Sequence, residues 1–216
     1  MKLFNMCLNE GKLPKAFLLD HKIVIPKPFK ESYNSCKSYR PVTLESLIGK
    51  VFIRIIYNRL LWFFETNNLF SPTQDAYRHG HSCNDLVLRL TQTIQDSWNR
   101  NETLVLACID FESYFETIWR EKLINQLSAA GIKGNILKVL HVYICSRQFR
   151  FSINDFQTEW EQSAVGLSQG GILSSILTNF YSAPSDHSLE SLHGEYAGDN
   201  YKWESHSNEL VAANKL

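Results

Sequence analysis

The sequence predicts an α+β fold from helix-like and strand-like patterns in different parts of the chain. Apolar side chains recur at three- and four-residue spacing between residues 44 and 67, which is typical of an amphipathic helix. Residues 103–109 form a short apolar run rich in β-forming side chains, and residues 148–160 suggest a strand hairpin. A chain of 216 residues is long enough for one sizeable domain or two small ones.

The composition is that of a globular intracellular protein. Hydrophobic residues make up 44% of the chain and charged residues 20%, without the bias of a disordered segment. The five cysteines form no Cys-x-x-Cys pair and are odd in number, which predicts reduced thiols. No apolar run approaches the roughly 20 residues of a membrane span, and residues 1–19 carry the polar side chains that a signal peptide lacks. We therefore predict a protein of the nucleus or cytoplasm that makes no membrane contact.

The net charge of zero hides an uneven distribution of charged side chains. Basic side chains outnumber acidic ones between residues 11 and 60, whereas acidic side chains dominate from residue 151 onward. Clustered cations suit a partner lined with phosphates, and clustered carboxylates suit a metal ion. A neutral chain is nevertheless a weak electrostatic match to nucleic acid as a whole.

The N-terminal half predicts one short strand and two long helices. Residues 21–26 alternate and end in proline, as in an edge strand, and the polar residues 27–39 predict a loop. Thr43 can cap a helix from Leu44 to about Asn67, whose whole apolar stripe we assign to the core. A second helix is predicted from the cap residue Ser82 to about Asn99.

The C-terminal half predicts shorter helices and two hairpins. Helices are expected at residues 116–130, where Gly131 supplies the stop, and at about 135–145. Residues 148–153 and 158–160 predict the strands of one hairpin around Asn154 and Asp155, and residues 195–203 predict another around a Gly-Asp-Asn turn.

Three features allow both an ordinary structural interpretation and a functional one. Asp110 ends a strand that should be buried on both faces, where an uncompensated carboxylate costs several kcal/mol. It either caps the following helix or binds a metal ion. Arg40 is by default a surface cation near a turn, and the glycines of residues 166–171 by default form a structural turn.

These features belong to segments that resemble one protein family. Asp110-Phe111-Glu112, followed by Phe115 and Ile118-Trp119, resembles the motif Asp-Phe-x-Lys-Ala-Phe-Asp-x-Val/Ile-Trp of reverse transcriptases from non-LTR (LINE-like) retrotransposons. Further segments are similar to motifs of that family: Ile25-Pro26-Lys27 with Tyr39-Arg40-Pro41-Val42-Thr43-Leu44, Gln74 to Ser82, Gly166 to Tyr181, and Tyr196-Ala197-Gly198-Asp199 in place of Tyr-Ala-Asp-Asp.

The resemblance covers about residues 10 to 203 and implies a polymerase of the right-hand type. The fold expected from it is a fingers–palm fragment in which helices pack on an antiparallel palm sheet, with the thumb missing. Residues 1–100 would be a partial fingers region, residues 101–203 the palm, and residues 204–216 a C-terminal tail. The implied activity is RNA-directed DNA polymerisation with two Mg²⁺ ions on an RNA template, a DNA primer and a dNTP. Nothing in the sequence indicates a protein partner.

The resemblance also assigns residues to this implied site. Asp110 and Asp199 would be the catalytic carboxylates and the metal ligands. The nucleotide-binding residues would be Arg40, Lys27, Arg78, Phe115, Gln169 and Gly170.

Two departures from the family pattern predict a degenerate site. Gly198 replaces the first carboxylate of the hairpin, and Ser113-Tyr114 replaces Lys-Ala, which puts a large ring where a small residue is expected. A carboxylate lost at about 4 Å from a metal ion removes roughly 4 kcal/mol at an effective dielectric constant near 20, or about a thousandfold in rate. Glu195 could replace it only if its side chain reached the same place. We therefore expect an inactive polymerase, with a non-catalytic nucleic-acid-binding remnant or a functionless relic as alternatives.

Overall fold

The computed structural model describes residues 2–111, 113–153, 156–186 and 192–215 and has an α+β fold, as predicted. The chain forms two compact units, one from residues 1–59 and 115–174 and the other from residues 60–114 and 175–216. In chain order the elements are α1 (Lys2–Glu10), β1 (Leu19–Pro26), β2 (Tyr39–Leu44), α2 (Leu47–Thr66), α3 (Cys83–Asn99), β3 (Thr103–Asp110), α4 (Arg120–Ala129), α5 (Gly134–Cys145), β4 (Gln148–Ile153), β5 (Phe156–Gln157), α6 (Ser174–Asp186), β6 (Leu192–Tyr196), β7 (Asp199–His206) and α7 (Glu209–Asn214).

The first unit contains a four-stranded sheet in the order β2-β1-β4-β5. β1 pairs with β2 antiparallel and with β4 parallel, so it lies inside the sheet and the predicted edge strand is wrong. Pairing with β4 stops at Ile23, before Pro26, so the missing N–H of the proline removes no bond on that side. β4 pairs with the two-residue strand β5, so a hairpin is present, but the second strand predicted at residues 158–160 is wrong. The predicted turn residues 154 and 155 lie outside the described residues.

Helix α2 differs from the prediction in its start and in its buried face. Thr43 pairs with Lys22 inside β2, so it cannot be the helix cap, and the helix begins at Leu47. Phe52 and other residues of one face are buried, but Leu47 is 80% exposed, and Ile48, Val51 and Ile55 are exposed as well. The apolar stripe is wider than the face that meets the core, and this is why the assignment of the whole stripe to the core is wrong.

The second unit contains the antiparallel sheet β3-β7-β6. Its apolar core includes Phe64, whose ring stacks on Phe180 with a centroid distance of 4.7 Å. Helix α3 begins with the predicted cap, where the Ser82 side chain and Asp85 form a capping box. β3 is a strand as predicted, but it lies at the edge of this sheet and Leu106 is 40% exposed, so burial on both faces is wrong.

The remaining helices agree with the predictions more closely. α4 ends as expected before Gly131, whose φ of 100° is typical of a helix stop, although α4 begins only at Arg120. α5 lies within a residue of its predicted bounds. Part of the predicted tail is regular structure, because β7 continues to His206 and α7 buries Ala212. None of the helices in the described residues is long and apolar enough to cross a membrane.

Candidate functional site

The second unit brings the two predicted catalytic carboxylates together. Asp110 is the last residue of β3, Asp199 is the first residue of β7, and the two are direct cross-strand partners. Partners in an antiparallel ladder have Cα atoms about 4.5–5.5 Å apart and side chains on the same face of the sheet. Both residues are exposed, so the pair is open to solvent.

The hairpin that carries Asp199 turns one residue earlier than the sequence suggested. Tyr196 pairs with Asp199, so the two loop residues are Ala197 and Gly198 instead of a Gly-Asp-Asn turn. Ala197 has a φ of 57°, in the left-handed region that non-glycine residues rarely adopt. The buried Gln74 side chain holds this backbone: its Oε1 accepts from the Ala197 N–H at 2.9 Å and its Nε2 donates to the Ala197 carbonyl at 3.2 Å.

Glu195 does not replace the missing carboxylate. It pairs with Asn200, one position away from the pairing of Tyr196 with Asp199. Because successive residues of a strand point to opposite faces, Glu195 and Asp199 lie on opposite faces of the hairpin. The Glu195 side chain is 3% exposed and accepts a hydrogen bond from Gln74 Nε2 at 3.3 Å.

The carboxylates that the structure describes in the second unit do not fit a two-metal site. Within the described part of the chain, no three His, Cys, Asp or Glu side chains are grouped so that they could hold a metal ion. The position of the absent carboxylate, Gly198, lies against the Tyr114 ring: a Cβ added to Gly198 would be 2.9 Å from Cδ1 of Tyr114. Among the residues that the structure describes, Asp110 and Asp199 therefore remain as the candidate ligands at this end of the sheet.

The first unit joins the Phe115 segment to the glycine-containing loop. The Phe115 carbonyl accepts from the Leu167 N–H at 2.7 Å, and the Ile118 carbonyl accepts from the Gly166 N–H at 2.8 Å. Arg120 then donates to the Gly166 carbonyl at 2.6 Å. The loop continues through Gln169 and Gly170, and a Cβ added to Gly170 would lie 3.8 Å from the backbone N and O of Thr43 in β2.

A buried charged cluster contacts this loop through Ser168. The sequence alone does not predict this cluster. We define the Arg147 cluster as Arg147 with Asp20, Glu45, Tyr143 and Ser168. Arg147 Nε donates to Asp20 Oδ2 at 2.8 Å, and Arg147 Nη2 forms an ion pair with Glu45 Oε1 at 2.7 Å. Ser168, at the position where the family has proline, donates to Asp20 at 2.9 Å. Burial raises the pKa of the Tyr143 hydroxyl well above its ordinary value, although the Arg147 charge opposes the shift. Tyr143 accordingly stays protonated and donates to Glu45 at 2.8 Å.

The predicted phosphate-binding cations fall into two groups. Arg40 is exposed on β2 opposite Ile25, and the pairing continues with a hydrogen bond from the Lys27 N–H to the Ser38 carbonyl. Arg40 and Lys27 therefore lie on the same face of the β1–β2 hairpin. Neither side chain has a hydrogen bond or ion pair with the described residues.

Arg78 is held inside the second unit instead. Its Nε and Nη2 donate to the Glu65 carboxylate at 3.0 and 2.7 Å, and its Nη1 donates to the carbonyls of Ser71 and Gln74. The side chain is 13% exposed. These four hydrogen bonds favour a structural role for Arg78 over the predicted role in nucleotide binding.

Comparison with known proteins decides the family. A family model described as "Reverse transcriptase (RNA-dependent DNA polymerase)" matches residues 25–203. The chain belongs to the reverse transcriptase family. Members of this family use divalent metal ions in polymerisation.

Curated reverse transcriptases of mobile elements are similar to most of the chain. The "Probable RNA-directed DNA polymerase from transposon BS" of Drosophila melanogaster is 27% identical over 181 residues, covering 84% of this chain and 20% of that protein. The "Probable RNA-directed DNA polymerase from transposon X-element" of the same species is 26% identical over 196 residues, covering 89% of this chain and 21% of that protein. The chain thus spans about a fifth of the length of these relatives. They confirm the resemblance to reverse transcriptases of non-LTR retrotransposons.

Solved structures agree with this fold. The structure of telomerase from Candida tropicalis in complex with a fragment of telomeric RNA has a TM-score of 0.66 at 13% identity, covering 94% of this chain and 38% of that one. An apo form of the same telomerase, truncated from the C-terminal domain, has a TM-score of 0.64 and covers 99% of this chain and 49% of that one. The likeness confirms a partial right-hand polymerase fold.

Proposed function

We propose that this chain is the fingers–palm part of an RNA-directed DNA polymerase of a non-LTR retrotransposon that retains contacts to nucleic acid but transfers nucleotides poorly. In this proposal Asp110 and Asp199 mark the place of the catalytic centre, and Mg²⁺ would be the metal ion. RNA template, DNA primer and dNTP are the proposed partners, with Gln169, Gly170 and Phe115 near the nucleotide. The single observation that supports it best is the direct pairing of Asp110 with Asp199 beside a turn that carries Gly198.

The same observation supports impaired catalysis. Two Mg²⁺ ions held roughly 3.5–4 Å apart require several carboxylates at one place, since each ligand offsets part of their mutual repulsion. The pair of Asp110 and Asp199 supplies two carboxylates, and Glu195 lies on the opposite face of the hairpin. A centre with this ligand set should bind the metal pair weakly and stabilise the transition state poorly.

A primer-extension assay measures the nucleotide-transfer activity of the chain directly. We expect the unmodified chain to give no extended product on an RNA template with a DNA primer, dNTPs and either Mg²⁺ or Mn²⁺, because one of the carboxylates is lost. Asp110→Ala is the matched control. It removes one carboxylate of the Asp110–Asp199 pair, so it shows whether any product depends on this centre. Product formed by the unmodified chain and abolished by Asp110→Ala would overturn the proposed inactivity.

Nucleic-acid binding tests the other half of the proposal. Arg40→Ala should weaken RNA binding in a fluorescence anisotropy titration, and the slope of log K against log salt should fall by about 1, as for one lost phosphate contact. Arg78→Ala should lower the Tm instead, because it leaves the Glu65 carboxylate without its bidentate partner. Arg100→Ala removes an exposed positive charge as a control. Equal loss of affinity in all three variants would show that Arg40 has no special contact.

A further inference from the structure

We infer that Tyr114 blocks the place of the missing carboxylate, so that the two departures from the family pattern are one coupled change. In the sequence, Tyr114 and Gly198 are separate departures from the family pattern and lie 84 positions apart (198 − 114). The second unit places them in contact: a Cβ built on Gly198 lies 2.9 Å from Cδ1, 3.1 Å from Cγ and 3.3 Å from Cβ of Tyr114. The inference rests on the proposed function only where it concerns metal binding.

The contact leaves no room for a side chain at residue 198. Cβ atoms essentially never approach another carbon within 3.0 Å, so any residue larger than glycine must move the ring. The Tyr114 ring has limited freedom to move, because it is half-buried and stacks on Phe111 with a centroid distance of 5.8 Å and an interplanar angle of 22°. Rotation of the ring about its Cβ–Cγ bond moves Cδ1 but leaves Cγ and Cβ of Tyr114 in place, at 3.1 and 3.3 Å from the new Cβ, so this rotation alone does not clear the contact.

Tyr114 would also limit how the proposed centre binds a divalent cation. An aspartate restored at residue 198 alone would either push Tyr114 away or point its carboxylate elsewhere. Removal of the ring would give that carboxylate space near Asp110 and Asp199, which are cross-strand partners at the end of the ladder between β3 and β7. The pair of changes Gly198→Asp and Tyr114→Ala should therefore do what Gly198→Asp alone does not.

The steric part is tested without metal and without charge. Gly198→Ala should lower the Tm by roughly 3–10 °C in the chain with Tyr114, and by at most about 2 °C in the Tyr114→Ala background. Differential scanning calorimetry of the four variants gives the coupling, and Tyr114→Ser, which has the same Cβ and no ring, serves if Tyr114→Ala does not fold. Equal shifts in both backgrounds would show that the ring does not fill this space.

The metal part uses Mn²⁺ alone as the probe, with free Mn²⁺ measured by electron paramagnetic resonance. The double variant Gly198→Asp/Tyr114→Ala should bind Mn²⁺ at least about tenfold more tightly than Gly198→Asp and than the neutral control Gly198→Asn/Tyr114→Ala. Equal affinity of Gly198→Asp and the double variant would overturn the blocking role of Tyr114. If no variant exceeds the asparagine control, the proposed metal centre at Asp110 and Asp199 fails, whereas the unfolding cycle still decides the steric role.

Discussion

Replacing Arg147 with methionine is expected to lower the free energy of unfolding by about 3–5 kcal/mol. The Arg147 side chain is 7% exposed, and it forms ion pairs with the carboxylates of Asp20 and Glu45, which are 1% and 3% exposed. Methionine fills much of the same space but leaves two buried carboxylates close together without a cation. The loss is large against the 5–15 kcal/mol that stabilises a typical domain, and urea unfolding followed by circular dichroism measures it.

Arg100→Met is the matched control for this prediction. Arg100 also pairs with a carboxylate, Glu102, but its side chain is 53% exposed and solvent screens the interaction. Its loss should change the free energy of unfolding by less than about 1 kcal/mol. If Arg147→Met were as mild as Arg100→Met, the Arg147 cluster would not stabilise the first unit in the way that its burial implies.

Gly166→Ala is expected to destabilise the first unit by about 2–5 kcal/mol, from backbone strain and overpacking together. Gly166 has a φ of 81°, and a Cβ at this residue would lie 2.5 Å from the carbonyl oxygen of Glu116. Because the contacting atoms belong to the backbone of Glu116, they cannot move away by a change of rotamer, as the end of a long side chain could. The hydrogen bonds that join residues 166 and 167 to Ile118 and Phe115 should weaken as these two segments move apart.

Gly134→Ala separates the strain from the crowding. Gly134 lies in the same unit with a φ of 66°, and an added Cβ would meet nothing within 4 Å. It should therefore cost only the roughly 1–2 kcal/mol of a left-handed backbone. Urea unfolding of both variants compares them, and a Gly166→Ala variant no less stable than Gly134→Ala would contradict the close approach of Glu116.

Local patterns predicted the elements of this fold well where the signal lies within one segment. The cap at Ser82, the stop at Gly131 and the strand that ends on Asp110 all follow from neighbouring residues, and the structure has each of them. The pairing of Asp110 with Asp199 was implied by the family motifs, and the ladder between β3 and β7 supplies it.

Contacts between segments that are distant in the chain could not be predicted from the sequence. Nothing near Thr43 indicates that it pairs with Lys22 in a strand instead of capping α2. The guanidinium of Arg78 binds the carboxylate of Glu65, thirteen positions away, and the family motif gives no sign of this contact. The crowding between Tyr114 and Gly198 likewise arises only when a turn and a hairpin meet in the folded chain.

The division of the chain between the two units has a consequence for its synthesis and for its dissection. Each unit combines an early and a late segment, and the chain passes from one unit to the other three times, between residues 59 and 60, 114 and 115, and 174 and 175. A ribosome that has made only the first hundred residues has therefore completed neither unit, and docking of the late segments must await their translation. Fragments cut at the predicted fingers–palm boundary would each contain incomplete parts of both units. We therefore expect folded protein from such a cut only when the two complementary fragments are co-expressed.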